Sequence, residues 1–139
     1  MGGTAALETI GRLLDATNAH DPDRIAACFA ADYRNETPAH PARGFTGREQ
    51  VHRNWSAILA GVPDLVAEMT DSALHLDDVW CEWTMSGTRR DGVPHRMVGP
   101  IVFTVRDGLI TSARFYLEPV DPDGGSVDAA VRRAVGAER

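Results

Sequence analysis

The spacing of the apolar residues changes once along this chain, at Pro63, and that change constrains the fold more than any other feature. Before Pro63 apolar side chains recur every three or four positions, as at Ile10, Leu13 and Leu14, which is typical of amphipathic helices. After it, long runs such as residues 79–88 and 93–105 alternate in the manner of strands. Three helices followed by a meander of antiparallel strands predict an α+β domain with the helices on one face of the sheet.

Short polar motifs predict where the helices begin. Thr4 is suited to cap a first helix that ends near Asn18, and Asp21 followed by proline is suited to begin a second. Thr46 and Glu49 have the spacing of a capping box, which predicts a third helix ending near Gly61.

Turn residues divide the second half of the chain into strands. The strands are predicted over residues 33–37, 65–73, 79–88, 93–105 and 109–117, with hairpin turns at Asp91-Gly92 and Asp107-Gly108. Pro100 lies inside the fourth of these strands and requires an edge or a bulge there. A linker over residues 119–125 and a short helix capped by Ser126 follow. We therefore expect one domain over residues 1–120, and a linker with a terminal helix over 121–139.

Charge and composition exclude several classes of function. All 14 basic residues are arginine, so Schiff-base catalysis, pyridoxal phosphate and a P-loop lysine are excluded. A net charge of −6 with scattered arginines argues against nucleic-acid binding. Neither a nucleotide loop nor a metal motif is evident, since Glu49 and His52 form only half of a di-iron pair. We expect no cofactor and no metal.

The cysteines and the apolar runs bear on the compartment. Cys28 and Cys81 are far apart and typical of buried thiols in a reducing environment. No run approaches the length of a membrane span, and the N-terminus lacks a basic signal region. We expect a cytoplasmic protein without membrane association.

The alternating strand at residues 79–88 has two faces of different character. Alternation alone places Val79, Cys81, Trp83 and Met85 in the core, and the intervening residues in solvent. The two following strands are apolar on both faces, however, and such a sheet requires a cover on each side. The helices cover one face, and a second copy in a homodimer is expected to cover the other.

Several segments, in order, resemble those of a known superfamily. These are His20-Asp21-Pro22-Asp23, Phe29-Ala30-Ala31-Asp32-Tyr33, Gly47-Arg48-Glu49-Gln50-Val51 and Arg106-Asp107-Gly108-Leu109-Ile110. The chain resembles the SnoaL-like branch of the nuclear-transport-factor-2-like fold over residues 7 to about 119. That branch includes polyketide cyclases, ketosteroid isomerase and limonene epoxide hydrolase. The resemblance implies a cone-shaped α+β barrel, three N-terminal helices on a curved, mainly antiparallel sheet, and a deep pocket between them.

The resemblance reverses the assignment of faces that alternation alone gives. It implies that the pocket contains Glu82, Thr84, Ser86, Met97, Ile101, Phe115 and Leu117, and that Val79, Cys81, Trp83 and Met85 face a dimer partner. The predicted ligand contacts are Asn35, Thr37, Asn54, Trp55, Trp80, Thr84, Met97, Ile101 and Phe115. His40 and Arg43 are expected at the pocket mouth.

The known catalytic sets of the superfamily are not intact in this chain. Their positions fall on Leu13, Thr37, Glu82, Thr84, Ile101 and Phe115, so no set retains all of its acids or its histidine. Glu82 is the carboxylate that the resemblance places inside the cone. Burial would raise its pKa towards the range of a general acid or base. Glu82 is therefore the candidate catalytic residue, and a surface carboxylate paired with an arginine is the alternative.

Three functions remain open from the sequence. The first is a pocket for a hydrophobic small molecule, with cofactor-free acid/base isomerisation, cyclisation or dehydration of a polyketide- or terpenoid-like substrate. The second is a non-catalytic module for ligand binding or dimerisation, because a fold does not fix a function. The third is an enzyme similar to epoxide hydrolase with a rearranged acid set.

Overall fold

The computed structural model describes residues 2–137, which form four helices and one seven-stranded sheet. The helices are α1 (Gly2–Asn18), α2 (Pro22–Ala27), α3 (Arg48–Gly61) and α4 (Val127–Ala134). The strands are β1 (Phe29–Glu36), β2 (Phe45–Thr46), β3 (Val66–His75), β4 (Asp78–Thr88), β5 (Pro94–Arg106), β6 (Leu109–Phe115) and β7 (Glu118–Pro119). The α+β class is confirmed, whereas the order differs from the prediction of three helices followed by strands, because β1 and β2 precede α3.

The sheet is open and mainly antiparallel, in the order β2-β1-β6-β5-β4-β3, with β7 paired to β5. The β1–β6 pair is parallel, and the other pairs are antiparallel. Consecutive strands β3 to β6 form the predicted meander. At the β5–β6 turn, Asp107 and Gly108 both have positive φ, 53° and 76°. That combination is what a two-residue type I′ hairpin requires.

Helix starts were predicted with mixed success. Asp21 caps α2, and its side chain accepts a hydrogen bond from the Arg24 backbone N–H at 3.1 Å. The predicted capping box at α3 is wrong, because Thr46 belongs to β2 and pairs with Arg34. Gly47 is the residue before the helix, and its N–H donates to the Tyr33 carbonyl at 2.7 Å. The predicted cap at Thr4 is also wrong, since α1 begins at Gly2.

At Gly99-Pro100 the strand paired with one edge of β5 changes from β6 to β7, while the pairing with β4 continues. Ile101 to Arg106 pair with β6, whereas Met97 and Val98 pair with β7. Between them the Pro100 carbonyl accepts from the Tyr116 N–H at 3.0 Å. Proline has no N–H to donate in return, so the hydrogen-bond ladder between β5 and β6 ends here. This change of partner is the irregularity that the proline predicted, and beyond it the chain after β6 pairs with β5 as β7.

The faces of β4 follow the alternation and not the resemblance. Val79, Cys81, Trp83 and Met85 are all at most 5% exposed and belong to the core between sheet and helices. Their expected placement against a dimer partner is therefore wrong. The register gives the reason, because Met85 pairs with Met97 and Cys81 with Ile101. Directly paired residues share a face of a sheet.

Candidate functional site

An open cavity of about 270 Å³ lies between α3 and the concave face of the sheet. Its walls are largely apolar and include Phe29, Phe45, Trp55, Met97, Phe115 and Leu117. A much smaller void of about 20 Å³ lies among Trp83, Ile101 and Phe103, and it shares Trp55 and Phe115 with the cavity wall. Edge-to-face ring contacts, such as Phe103 with Phe115 at 6.2 Å, hold this deep layer together.

The cavity has one polar side, formed by the end of β1 and the loop after it. Tyr33, Asn35, Thr37 and Arg43 line it there. The Tyr33 hydroxyl donates to Asn35 Oδ1 at 2.7 Å, and Asn35 Nδ2 donates to Thr37 Oγ1 at 3.5 Å. Tyr33 itself is buried, and desolvation raises its pKa well above that of free tyrosine. Tyr33 is therefore a neutral hydrogen-bond donor at any physiological pH.

A second polar group comes from α3. Asn54 lines the cavity beside Trp55, and Asn54 Oδ1 accepts from Gln50 Nε2 at 2.7 Å. Gln50 in turn accepts, through Oε1, a hydrogen bond from the Arg53 guanidinium. The sequence predicted Asn54 at the site but missed Gln50 and Arg53. Their spacing of three and four residues on one helix was the signal that could have found them.

Most of the predicted ligand contacts come together around the cavity. Asn35, Thr37, Asn54, Trp55, Met97 and Phe115 line it, together with Arg43 from the predicted mouth. Ile101 lies one layer deeper, at the small void. His40 is half-buried beside the mouth and pairs through Nε2 with Glu118 Oε1 at 3.0 Å. That contact ties the loop after β1 to β7.

Glu82, Trp80 and Thr84 do not reach the cavity. They lie on the other face of β4, where Glu82 is exposed, Thr84 is half-buried and Trp80 is 43% exposed. Glu82 pairs with Pro100, and the guanidinium of Arg114 lies 5.8 Å from the Trp80 ring centre. The expectation that these three residues contact a ligand in the cone is therefore wrong. Because Glu82 is exposed on that face, it has no route to a molecule bound on the concave side.

The concave face also carries a histidine that does not line the main cavity. His95 is two residues from Met97 and on the same face of β5, in a neighbouring depression that also contains Ile58 and Val62. Its Nε2 atom is buried and makes no hydrogen bond within residues 2–137. Ile58 separates this depression from the main cavity, since it lines both. Strand alternation from Met97 was the signal that could have placed it.

The cavity lining can donate hydrogen bonds, but it offers no acidic or histidine side chain that could take up a proton. Among the described residues that line the cavity, none is Asp, Glu or His. No three His, Cys, Asp or Glu in the described part of the chain lie close enough to hold a metal ion. The arrangement can enclose an apolar body and donate hydrogen bonds to an oxygen atom, which orients a ligand and stabilises negative charge on it.

Comparison with known proteins defines the class to which this geometry belongs. The family model of the SnoaL-like domain matches residues 10–113, and the chain belongs to this family. No curated protein shows significant similarity to the chain. Within the described residues no helix is long and apolar enough to cross a membrane.

Solved structures support the same fold. A Bacillus subtilis protein proposed to be an isomerase is 19% identical, with a TM-score of 0.76 over 99% of this chain and 97% of that one. IdmH of Streptomyces antibioticus, proposed to be a polyketide cyclase, is 23% identical, with a TM-score of 0.70 over 81% and 91%. A Catenulispora acidiphila protein with a ketosteroid isomerase-like fold, crystallised with trimethylamine, is 23% identical, with a TM-score of 0.67 over 78% and 85%. At these identities the likeness establishes the fold alone.

Proposed function

We propose that this chain binds a small, mainly apolar organic molecule that carries at least one oxygen atom. The observation that carries the proposal is the cavity of about 270 Å³, whose walls are aromatic and aliphatic and whose few polar side chains come from β1, the loop after it and α3. Ligand sites combine these two properties, because apolar walls supply affinity and a few placed polar groups supply orientation. The volume is just below the roughly 300 Å³ at which drug-sized sites begin, which favours a ligand of one or two rings.

The polar groups of the cavity support an oxygen-bearing ligand in particular. A buried amide that keeps unused N–H groups is unfavourable unless something accepts them. Asn54 is half-buried, its oxygen accepts from Gln50, and its NH₂ group has no partner within the described residues, so a ligand that displaces water from the cavity must accept from this group. A carbonyl, hydroxyl or ether oxygen on a ligand would satisfy it.

A second candidate function is isomerisation or cyclisation of a bound polyketide- or terpenoid-like molecule. The observation that favours it is the same donor set in an apolar enclosure, which would stabilise an enolate or other developing oxyanion. Catalysis of this kind orients the substrate and polarises its carbonyl, while the proton moves to solvent or to another part of the substrate. It does not involve Glu82. The epoxide hydrolase alternative has no support, because the described lining contains no carboxylate to protonate the epoxide or activate water.

Filling the cavity is expected to abolish binding. Met97 is half-buried on the cavity wall. We expect Met97→Trp to weaken binding of 2-naphthol and 4-phenyl-2-butanone at least tenfold, because the indole occupies the space that the probe needs. Isothermal titration calorimetry on the purified protein measures this loss.

The matched control is Val93→Trp, which adds the same side chain in the β4–β5 turn, where Val93 is 44% exposed and does not line the cavity; it is expected to leave the affinity within about twofold. Equal affinities for both variants and the unmodified chain would place any binding outside the cavity. Lack of binding by the unmodified chain, across neutral and charged probes of one and two rings, would overturn the ligand-binding function.

The outer face of the sheet supports our second proposal, a homodimer. Trp80 and Val98 are exposed there, at 43% and 37%, next to Pro100 and the buried Val102. Acidic side chains at Asp71 and Glu82 lie on β3 and β4, whereas Arg96 and Arg114 lie on β5 and β6. A two-fold arrangement would place each acidic edge near the partner's basic one around an apolar centre.

Replacing Trp80 by Glu tests the dimer. We expect sedimentation equilibrium to give about twice 15.1 kDa for the unmodified chain and about one monomer mass for Trp80→Glu. The control is Leu76→Glu at the β3–β4 turn, where the side chain is 86% exposed and off that face. Monomeric behaviour of the unmodified chain at high micromolar concentration would contradict the proposal, as would a dimer that tolerates Trp80→Glu.

A further inference from the structure

Several N–H and O–H donors that line the cavity have no hydrogen-bond partner within the described residues. On α3 the orientation of the two amide side chains is set by Arg53, because its guanidinium can only donate hydrogen bonds. Gln50 must therefore present Oε1 to Arg53 and its NH₂ group to Asn54. Asn54 accepts through Oδ1, and its own NH₂ group has no hydrogen-bond partner among the described residues. Two N–H donors of Asn54 are thus available to a ligand.

The β1 side of the cavity also presents hydrogen-bond donors. The Tyr33 hydroxyl donates to Asn35 Oδ1, so this amide oxygen is engaged and its Nδ2 group points towards Thr37. Thr37 Oγ1 accepts that contact, which leaves the hydroxyl hydrogen free to donate. Tyr33, Asn35 and Thr37 together form a short relay that ends in a donor at the cavity.

Arg43 adds a positive charge to this donor set. It lines the cavity from the 3₁₀ turn Pro41–Arg43, and its guanidinium makes no hydrogen bond or ion pair within the described residues. The acid beside the mouth, Glu118, is engaged by His40 at 3.0 Å. Arg43 is therefore a cation at the edge of an apolar cavity, and no acidic side chain of the described lining lies opposite it.

We propose that the ligand is an organic anion, namely a carboxylate on a one- or two-ring or branched apolar body. This inference rests on the proposed ligand-binding function and adds the charge of the ligand. A carboxylate offers two acceptor oxygens and no donor, which complements the guanidinium of Arg43 and the N–H groups of Asn54. Guanidinium groups match carboxylates in two parallel hydrogen bonds. An ammonium ligand, by contrast, would find no carboxylate in the described lining.

Three probes that share one body isolate the charge of the ligand. They are 3-phenylpropionate, 3-phenylpropionamide and 3-phenylpropylamine, measured by calorimetry at pH 7 with the full chain. We expect the carboxylate to bind about tenfold tighter than the amide, since a charge-assisted contact replaces a neutral one. The amine is expected to bind at least tenfold more weakly than the amide.

Arg43→Gln is expected to lower the affinity for the carboxylate about tenfold and to leave that for the amide within twofold. Arg34→Gln is the matched control, because it removes the same charge from an exposed residue next to Asn35 on β1. Strand alternation directs Arg34 away from the cavity, so the control is expected to bind like the unmodified chain. Equal loss in both variants would indicate a general charge effect and would overturn the proposal.

The outcomes separate this inference from the proposed function. Binding of the amide as tight as that of the carboxylate, or an unchanged carboxylate affinity in Arg43→Gln, overturns the anion while the cavity remains a ligand site. A failure of all three probes and of the neutral probes above overturns the ligand site itself.

Arg53 is a positioning residue for the anion, because it acts through Gln50 and Asn54. Arg53→Met frees both amides to turn, so we expect the carboxylate-to-amide preference to fall about threefold while amide affinity changes less. Arg53→Lys keeps a donor-only cation at the same position and is expected to restore the preference. A preference that is unchanged in Arg53→Met, or lost equally in Arg53→Lys, would show that Arg53 does not set the amide orientation.

Discussion

Trp83→Ala is expected to destabilise the folded protein by about 3–5 kcal/mol, the usual range for removing a buried large aromatic side chain. Trp83 is 3% exposed, packs edge-to-face on Phe103 at 6.0 Å, and borders the small void under the cavity. Alanine at this position would remove the ring that packs on Phe103 and would enlarge the void beneath the cavity. Denaturant unfolding followed by circular dichroism measures the loss of free energy of unfolding.

The adjacent residue supplies the control for this experiment. Glu82→Gln keeps the size of an exposed side chain on the other face and is expected to change the free energy of unfolding by less than about 0.5 kcal/mol. Together the two variants test which face of β4 is buried. A large effect at Glu82 and a small one at Trp83 would mean that the faces are reversed and that the carboxylate is inside.

Gly99→Ala is the second large effect, expected at about 3 kcal/mol. Gly99 has φ +146°, and a Cβ there would lie 2.3 Å from the Tyr116 carbonyl oxygen and 3.0 Å from its carbonyl carbon. Both obstacles are backbone, so the chain after β6 must move. Strain at such a φ and overpacking each contribute about 1–3 kcal/mol. Because Tyr116 lies between Phe115 and Leu117, which both line the cavity, ligand affinity should fall as well.

Gly11→Ala is the matched control for Gly99→Ala. Gly11 lies inside α1, and a Cβ added there would meet nothing within 4 Å, so alanine is expected to stabilise the helix by about 0.5–1 kcal/mol. Thermal unfolding of the two variants compares them directly. An unaltered melting temperature in Gly99→Ala would contradict the close approach of β5 to the segment after β6.

Local signals predicted the elements of the fold well. Asp21 and Pro22 start α2 because the side chain of one and the fixed φ of the other act within a single turn. Asp107 and Gly108 form their hairpin for an equally local reason. Thr46 failed as a cap because a distant partner, Arg34, drew it into β2, and no local pattern reports such a pairing.

The composition of the site was predicted less completely than the fold. Asn54 and Trp55 were found because a polar residue interrupts an apolar helical stripe. Glu82 was misplaced because the resemblance to the superfamily reversed a correct interpretation of the alternation. Hairpin register could have exposed the conflict, since Met97 and Ile101 pair with Met85 and Cys81, so Glu82 cannot share their face.

The orientation of the amide groups in the cavity could not be predicted from the sequence, for a different reason. It depends on which atom of each amide faces which partner, and that is set by the contacts of Gln50 with Arg53 and of Asn35 with Tyr33. Residue types give the capacity to donate or accept, whereas the folded contacts decide what remains unused.

The concave cavity, and not the outer face with Glu82, is the functional site that we propose. A crystal structure of the chain soaked with 3-phenylpropionate tests this most directly. The predicted result is a phenyl ring among Trp55, Met97 and Phe115, with the carboxylate within hydrogen-bond distance of Asn54 Nδ2 and the Arg43 guanidinium. A probe bound on the outer face beside Glu82 and Trp80, with an empty cavity, would contradict it.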